Sequence, residues 1–553
     1  MAFEAIRDYY EQRKGDMKKE RSSFISHYKL LSDNIQPRRG RFETTDRNVG
    51  TRRHQNIINS RGTQALKIAT AGLFAGIMSP TRPWFDLASP DPDLMEFREA
   101  KIWYRQVAQT MRSIFNAGNL YTMAPVMIQE LLLFGTGNMS HVEDDENVAR
   151  FYTHTAGSYM ISQNEKFEVD TECREFMMTV EQMASDFGVD NLSDTAKSAV
   201  DQNNLDMWLP VVHFIEPNAD YKPSSVLAKN KKFSSVKYEP GNVNKEIFLS
   251  KKGFDEFPKY CPRWGVTGED VYGTDCPGMT TLGDVKGLQI EEKRKAQGID
   301  KQVNPPLTGP ASVRNTPVSS LPGGLTLYDG DPSRNKLESL YAVNINLQDM
   351  KEDIERVERR INDAFFVDLF LAISNMEGIQ PRNQFEISER NAERLLQLGP
   401  VLERMQGEFL DPLISRTFNQ MERAGLLPPA PEAIQGQPLK VEYISSLAQA
   451  QRAVDTRSID RLTTYVAGLK QAELSDGRKF DGDKAISKYA DLVGTPPELM
   501  AEDQEVADVR EAEQQQQQQA QQLGAAEQAA RTARDAGQVD LGGDNPVARA
   551  VEN

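Results

Sequence analysis

Proline and glycine divide the second half of this 553-residue chain into three helical stretches that cannot join. Residues 284–303 read as one helix, close to 30 Å long at about 1.5 Å per residue. The next segment, 304–334, holds Pro305-Pro306, Pro310, Pro317 and Pro322-Gly323-Gly324. Each proline removes a backbone donor and fixes φ, so no long helix crosses it. Helical text resumes over Asn346–Ala372, where Leu347, Met350, Ile354, Val357, Ile361, Ala364 and Phe365 step by three and four. Lys351, Glu352, Asp353, Glu355, Glu358, Arg359 and Arg360 fill the other face, which leaves one narrow apolar seam. Gly378 and Pro381 then break Asn375–Gln384. A third helical region runs over 387–425, with Leu395, Leu398, Leu402, Met405 and Phe409 in register and Pro400 and Pro412 inside it as kinks.

The first half reads differently. Residues 1–34, 56–78, 95–117 and 121–134 carry helical spacing. Lys67–Leu87 is a small-residue helix, a proline-bounded stop and an aromatic anchor, Ser79-Pro-Thr-Arg-Pro-Trp-Phe85. From Asn138 to Tyr272, β-branched runs such as Phe151–Thr155, Leu209–Ile215 and Glu246–Leu249 alternate with Gly, Pro and Asn. Helices are expected within this region near 176–187 and 194–203. After Pro428-Pro-Ala-Pro431 come a strand-like run, Leu439–Tyr443, and helices near 445–473 and 483–493. The reading is α+β, mainly helical.

Net charge is −16, so the whole molecule is no simple polycation. The ends differ: residues 1–61 hold 14 Lys/Arg against 8 Asp/Glu, and 498–553 hold 4 against 12. A basic arm (Arg38, Arg39, Arg41, Arg47, Arg52, Arg53) and an acidic, glutamine-rich tail suggest different partners for the two ends, or two solvated termini. Cys173, Cys261 and Cys276 are too few and too scattered for a zinc site or a disulfide framework, which fits a reducing compartment. The longest apolar run, Ile68–Met78, is about half a membrane span, and the first residues lack an apolar signal core. A cytosolic protein, or one that ends in a particle, is expected.

Catalytic motifs are scarce. Gly273-Thr-Asp-Cys-Pro-Gly278-Met-Thr280 has the glycine spacing of a phosphate-binding loop, but Met279 stands where lysine must neutralise phosphate and Pro277 removes an amide. A Gly/Pro turn before a helix is the better reading. His27, His54, His141, His154 and His213 form no HExxH or HxH spacing, and His141 beside Glu143, Asp144 and Asp145 reads as a solvated acidic turn. No GxSxG elbow is present. No cofactor and no enzymatic activity are expected.

Three segments together resemble the head-to-tail connector (portal) proteins of short-tailed, podovirus-type bacteriophages: Lys67–Leu87, Glu130-Leu-Leu-Leu-Phe-Gly-Thr-Gly137, and Leu395–Arg404 with Glu408–Ile414 and Arg423-Ala-Gly425. The resemblance covers about 5–500 and implies a portal fold. By it, 1–283 is an α/β wing, 284–303 a first stem helix, 304–334 a clip and 335–372 a second stem helix. A tunnel loop at 373–386, a long kinked wing helix at 387–429 and a helical crown at 430–500 follow. The tail, 501–553, matches no motif of the family.

The resemblance further implies a homo-oligomeric ring, usually dodecameric, at one capsid vertex of the virion, assembled in the host cytoplasm without a membrane. Double-stranded DNA would pass through it during packaging and ejection. Terminase motor, tail adaptor, major capsid and scaffolding proteins would be its partners. Lys293, Lys301, Lys351 and Arg382 become candidates to line the DNA channel. Asn304, Pro305, Arg314 and Pro322 become candidates for motor or tail docking. Ile354, Val357 and Ile361 become candidates for the subunit interface, their seam being too apolar for an exposed surface. Another structural phage component, a tail adaptor or scaffold-like protein, is the alternative; an NTP-driven packaging enzyme is disfavoured by Met279.

Overall fold

A stretch of small residues lies at the centre of the first half of the molecule. Helix α2 (Arg61–Met78) buries Gly62, Ala65, Leu66, Ala69 and Leu73. Gly72 lets another helix, α9 (Val367–Asn375), come against it: a Cβ there would stand 2.3 Å from the Cβ of Phe370. The helix stops because Ser79 precedes Pro80 and is held extended, at ψ 129°. The chain then enters β1 (Phe85–Ala88), where Trp84 and Phe85 are buried against Phe115, each at a ring separation of 6.1 Å.

The computed structural model describes residues 6–45, 50, 57–91, 94, 97–223, 225, 227–309, 311, 314, 319, 331, 338–339, 347–375, 397–434, 440–444, 459, 462–471 and 480–493, with scattered positions between 506 and 528. Two compact units result, Met1–Gln451 and Arg452–Asn553. The fold is α+β. In the first unit α1 (Ile6–Ile35), α2, α3 (Arg98–Ala117) and α4 (Leu120–Phe134) share one large core with the helices that follow the sheets. In the second, α11 (Gly482–Val493) carries Asp483, which pairs with Arg510.

Two antiparallel sheets occupy the middle of the first unit. The smaller has order β3-β2-β9, from β2 (Met139–Asp144), β3 (Val148–Thr153) and β9 (Lys259–Tyr260). The larger has order β4-β5-β6-β7-β8, from β4 (Tyr159–Gln163), β5 (Val169–Thr179), β6 (Trp208–Pro217), β7 (Phe233–Tyr238) and β8 (Ser250–Phe254). On one face of the larger sheet Cys173, Phe214, Val236 and Tyr238 pack under Tyr10 and Met17 of α1. Two short helices, α5 (Val180–Phe187) and α6 (Asp194–Asp201), fill the β5–β6 connection. A short β-pair, β10 (Leu307–Thr308) with β11 (Glu338–Ser339), lies beyond the next helix.

Several expectations change. Residues 176–179 are strand, because β5 pairs with β6 through Thr179↔Trp208. The helix begins only at Val180, where Thr179 and Gln182 form a reciprocal capping box. Glu246–Leu249 is not strand. Phe248 joins the core under α1 while Leu249 joins a second core beside α5 and α6, so the chain straddles the sheet edge there. His141 lies in β2 and is fully buried, with Nδ1 2.6 Å from the Tyr260 hydroxyl, while the acidic hairpin turn follows it. Within the strand-like run expected before Ile444, Lys440–Tyr443 is strand β12, pairing antiparallel with β1 across most of the chain, Phe85 opposite Tyr443.

The expected 346–372 helix is two. Helix α8 (Leu347–Ala364) ends before Phe366, whose φ of 55° breaks the ladder, and α9 restarts at Val367. Phe365 and Phe370 are thereby both buried. In the third helical region, described from 397, a π-turn at Gln406–Leu410 precedes α10 (Asp411–Arg423). Pro412 follows the π-turn inside one unbroken helical run, where its missing N–H leaves a carbonyl of the preceding turn without its usual donor and the ladder is locally irregular, as the sequence predicts. The interval 376–396, with Gly378, Pro381 and Arg382, lies outside the described residues.

Candidate functional site

The paired long helices are the most distinctive part of the fold. Helix α7 (Pro277–Val303) starts earlier than its charge pattern suggests. Cys276 caps it, accepting from Met279 N at 3.4 Å and donating to the Leu133 carbonyl, and Pro277 takes the first turn. Burial pushes the Cys276 thiol up to about 12, so it stays protonated and keeps that donor. The glycines of this loop serve backbone contact: a Cβ on Gly273 would lie 2.0 Å from the Gly135 carbonyl oxygen, and one on Gly278 2.5 Å from that of Leu133. Gly135 in turn ends α4 in the left-handed region at φ 78°. The Glu130–Gly137 motif thus locks α4 to the start of α7. Glu130, fully buried, accepts from Thr155 Oγ1 at 2.8 Å and Ala156 N at 3.0 Å. Arg39, at the start of the basic arm, donates to Gln129 Oε1 at 2.7 Å and lies 3.6 Å from Glu130. Arg47, Arg52 and Arg53 lie outside the described residues.

Helix α8 runs antiparallel against α7. At its root, Ile354, Val357, Ile361 and Phe365 meet Leu282, Val285 and Leu288 in the main core. Polar clamps lie beside them. Gln289 Oε1 accepts from the amides of Ile58 and Asn59, and Asn59 Nδ2 reaches Glu292 and Glu358. Arg61 donates to Asn362 at 2.8 Å, and Arg360 bridges to Asp284 at 2.7 Å. Desolvation and the nearby Asp353 push the Glu291 carboxyl up. The two helices together hold nine basic and ten acidic residues, so their surface is close to neutral.

The candidate residues fall into three groups. Lys293, Lys301 and Lys351 are exposed on the helix pair, with Lys351 3.8 Å from Glu355. Asn304 closes the end of α7, Pro305 follows it, and Arg314 is exposed; Pro322 and Arg382 lie outside the described residues. Ile354, Val357 and Ile361 are at most 5% exposed in a single chain. Their seam is satisfied by α7 of the same chain, so it needs no neighbour to cover it.

Other interactions escaped the sequence. Arg263 grips Glu408 from the π-turn at 2.6 Å and donates to the Phe167 and Asp270 carbonyls. Lys259 and Glu172 form a buried pair at 2.5 Å, to which Asn138 adds a donor at 2.8 Å. Arg174 lies 3.1 Å from His154 Nε2; a guanidinium only donates, so that nitrogen accepts and the ring is neutral. Burial, with Arg174 and Lys259 beside it, holds His154 well below the usual imidazole range. The Lys259–Glu172 and Arg263–Glu408 pairs join residues 87 and 145 apart. Among the described residues no group of three His, Cys, Asp or Glu could hold a metal, and no helix is long and apolar enough to cross a membrane.

An α+β body that presents two antiparallel, near-neutral long helices is the architecture on which the sequence segments converge. The chain belongs to the family described as bacteriophage head to tail connecting proteins, which matches residues 7–500. It is 42% identical to the portal protein of Salmonella phage epsilon15 over 495 residues, 90% of this chain and 89% of that one. It is also 42% identical to the probable portal protein of Bordetella phage BPP-1 over 551 residues, 99% and 98% of the two chains. A chain of the virion of the native gene transfer agent particle aligns at a TM-score of 0.34 and 13% identity, over 85% of this chain and 99% of that one.

Proposed function

We propose that this chain is a phage portal subunit that assembles as a ring, usually dodecameric, at one capsid vertex. The ring conducts double-stranded DNA during packaging and ejection and docks the packaging motor and then the tail. The full-length identity to two portal proteins carries this reading. The near-neutral helix pair supports it physically: a channel rich in phosphate contacts would bind DNA in a strong, salt-dependent way and stall its movement. Lys293, Lys301 and Lys351 are then sparse guides on that surface, joined by Arg382 from a tunnel loop. The clip, with Asn304, Pro305, Arg314 and Pro322, is the docking end.

Native mass spectrometry of the purified full chain tests the assembly. The expected product is a closed ring; a chain that stays monomeric at micromolar concentration overturns the reading. Deletion of 308–328 is expected to leave thermal melting unchanged and to abolish capture of the motor or tail adaptor. Capture that survives the deletion places docking elsewhere.

A further inference from the structure

An acidic chain concentrates lysine at one place that the helix pair does not explain. Between Asn218 and Lys252 there are eight lysines, no arginine, and three carboxylates. The fold gathers them at the outer end of the larger sheet. β8 is its terminal strand, paired to β7 with Val236↔Lys251 and Ser235↔Lys252. The 218–232 loop folds back on this strand. Asn218 takes the carbonyls of Lys229 and Lys231, each at 2.8 Å, and a Cβ on Gly253 would lie 2.1 Å from the Ala228 carbonyl oxygen. The loop lysines therefore stand beside those of the strand.

Few of these charges are matched. Lys231 pairs with Asp255 at 2.7 Å, Lys245 with Asp8 at 2.7 Å, and Lys237 stands over the Phe187 ring. Of the three carboxylates, Glu239 is buried on the Ser193 amide. Lys222, Lys229, Lys232, Lys251 and Lys252 are exposed and make no ion pair among the described residues. The Lys251 ammonium is held over the Phe248 ring at 3.9 Å.

We propose that this lysine-rich sheet edge is a docking surface for the phosphate backbone of double-stranded DNA, separate from the helix pair. The residue type decides between polyanions. Protein interfaces enrich arginine, whose fork fixes geometry, and deplete lysine. Five exposed point charges without a guanidinium suit a repeating phosphate lattice read without regard to sequence. The inference rests on the portal reading for the identity of the polyanion, and it deepens that reading by adding a contact outside the conduit.

The test titrates the full-length protein with a labelled random duplex of about 30 base pairs, between roughly 50 and 200 mM NaCl. A variant carrying Gln at 222, 229, 232, 251 and 252 is compared with wild type and with a variant carrying Gln at 286, 293, 301 and 351. The sheet-edge variant is expected to bind at least about tenfold more weakly and to lose about four from the slope of log affinity against log salt. Unchanged affinity and slope in that variant overturn the inference. So does loss of duplex binding confined to the helix-pair variant, a result that leaves the conduit reading standing. A variant that binds duplex like wild type but fails to enter capsids assigns the surface to an acidic protein and also overturns the inference. Particle mass is measured on the same samples. A wild-type chain that does not close a ring counts against the portal reading, and the titration still decides the surface.

Discussion

The root and the tip of the α7–α8 pair are built from the same two helices on opposite rules. At the root, Leu288 and Ile361 are fully buried in a core shared with α2. Toward the tip, Ile299 and Val303 are 41% and 79% exposed. Of the second half of α7 only Gly298 is buried. An amphipathic repeat in the sequence therefore says that a seam exists, while the fold decides where the same chain fills it. The root is a monomer's core; the tip is what a ring would have left to cover.

Charge substitutions separate the two ends most strongly. Ile361→Asp removes a buried side chain and buries a carboxylate, at a cost of about 4 kcal/mol or more. The expected result is loss of cooperative melting of the first unit, with assembly lost as a consequence. Ile299→Asp, on the exposed stretch, is expected to leave the melt unchanged and to affect only assembly. Equal effects of the two on circular dichroism melting would erase the distinction between root and tip.

Neither α7 nor α8 contains a histidine, so imidazole titration reports on the sheets and not on the pair. Burial, reinforced by Arg416 near His141, by Arg174 and Lys259 near His154 and by Lys259 and Lys237 near His213, depresses all three imidazoles. The unfolded chain then binds more protons below about pH 6.5 than the folded one. Stability is present above that pH and falls as pH drops, by up to about 4 kcal/mol per unit for three groups. Glu130 and Glu216, whose carboxyls burial pushes up, act with the opposite sign as they protonate. Denaturant midpoints from pH 7.5 to 5.5 are expected to fall steadily, and His154→Gln to flatten the slope by about one proton. A flat profile in the wild type would show that the sheet histidines charge without resistance.

Local rules made the helices legible. Proline placed the ends of α2 and α7, and three-four spacing found α3, α4 and α8. The stop at Phe366 was hidden because Phe365–Ala372 is apolar at every position but Asp368 and so loses the one-sided pattern. Residues 176–179 and 246–249 were misread because pairing with β6, and anchoring on both sides of the sheet edge, decide their state. The candidate lysines on the pair were readable as exposed charges. The Arg263–Glu408 clamp was not, since nothing local marks two residues 145 apart as partners. The lysine cluster at 222–252 was visible in composition and was masked by the global −16.

Gly72 tests why the root needs α2. A methyl there meets Phe370 at 2.3 Å, so the α2–α9 contact must open. Gly72→Ala gains helix propensity, worth about 1 kcal/mol, and loses about 1–3 kcal/mol to overpacking. A net drop of up to about 2 kcal/mol is expected, read as a lower denaturant midpoint with unchanged ring mass. The double variant Gly72→Ala with Phe370→Leu is expected to recover none of it, because leucine keeps the Cβ and Cγ that the methyl meets. Stabilisation by the single substitution would mean that the two helices are not held at this distance.

The smallest effect is expected between the two helices themselves. Arg360 bridges to Asp284 at 2.7 Å, yet the arginine is 60% exposed and water solvates both ends. The hydrogen bond to Asp284 pushes the guanidinium further up, away from any pH at which it titrates. An exposed pair gains little over its hydrated partners and is screened by salt. Arg360→Gln is therefore expected to leave the thermal midpoint within the scatter of replicate melts, at low and at high salt alike. What holds α8 on α7 is then the Val285–Leu288 side of the root and the Asn59 and Gln289 clamps. A salt-sensitive loss of stability in Arg360→Gln would move the hinge of the pair from the buried seam to its charged flank.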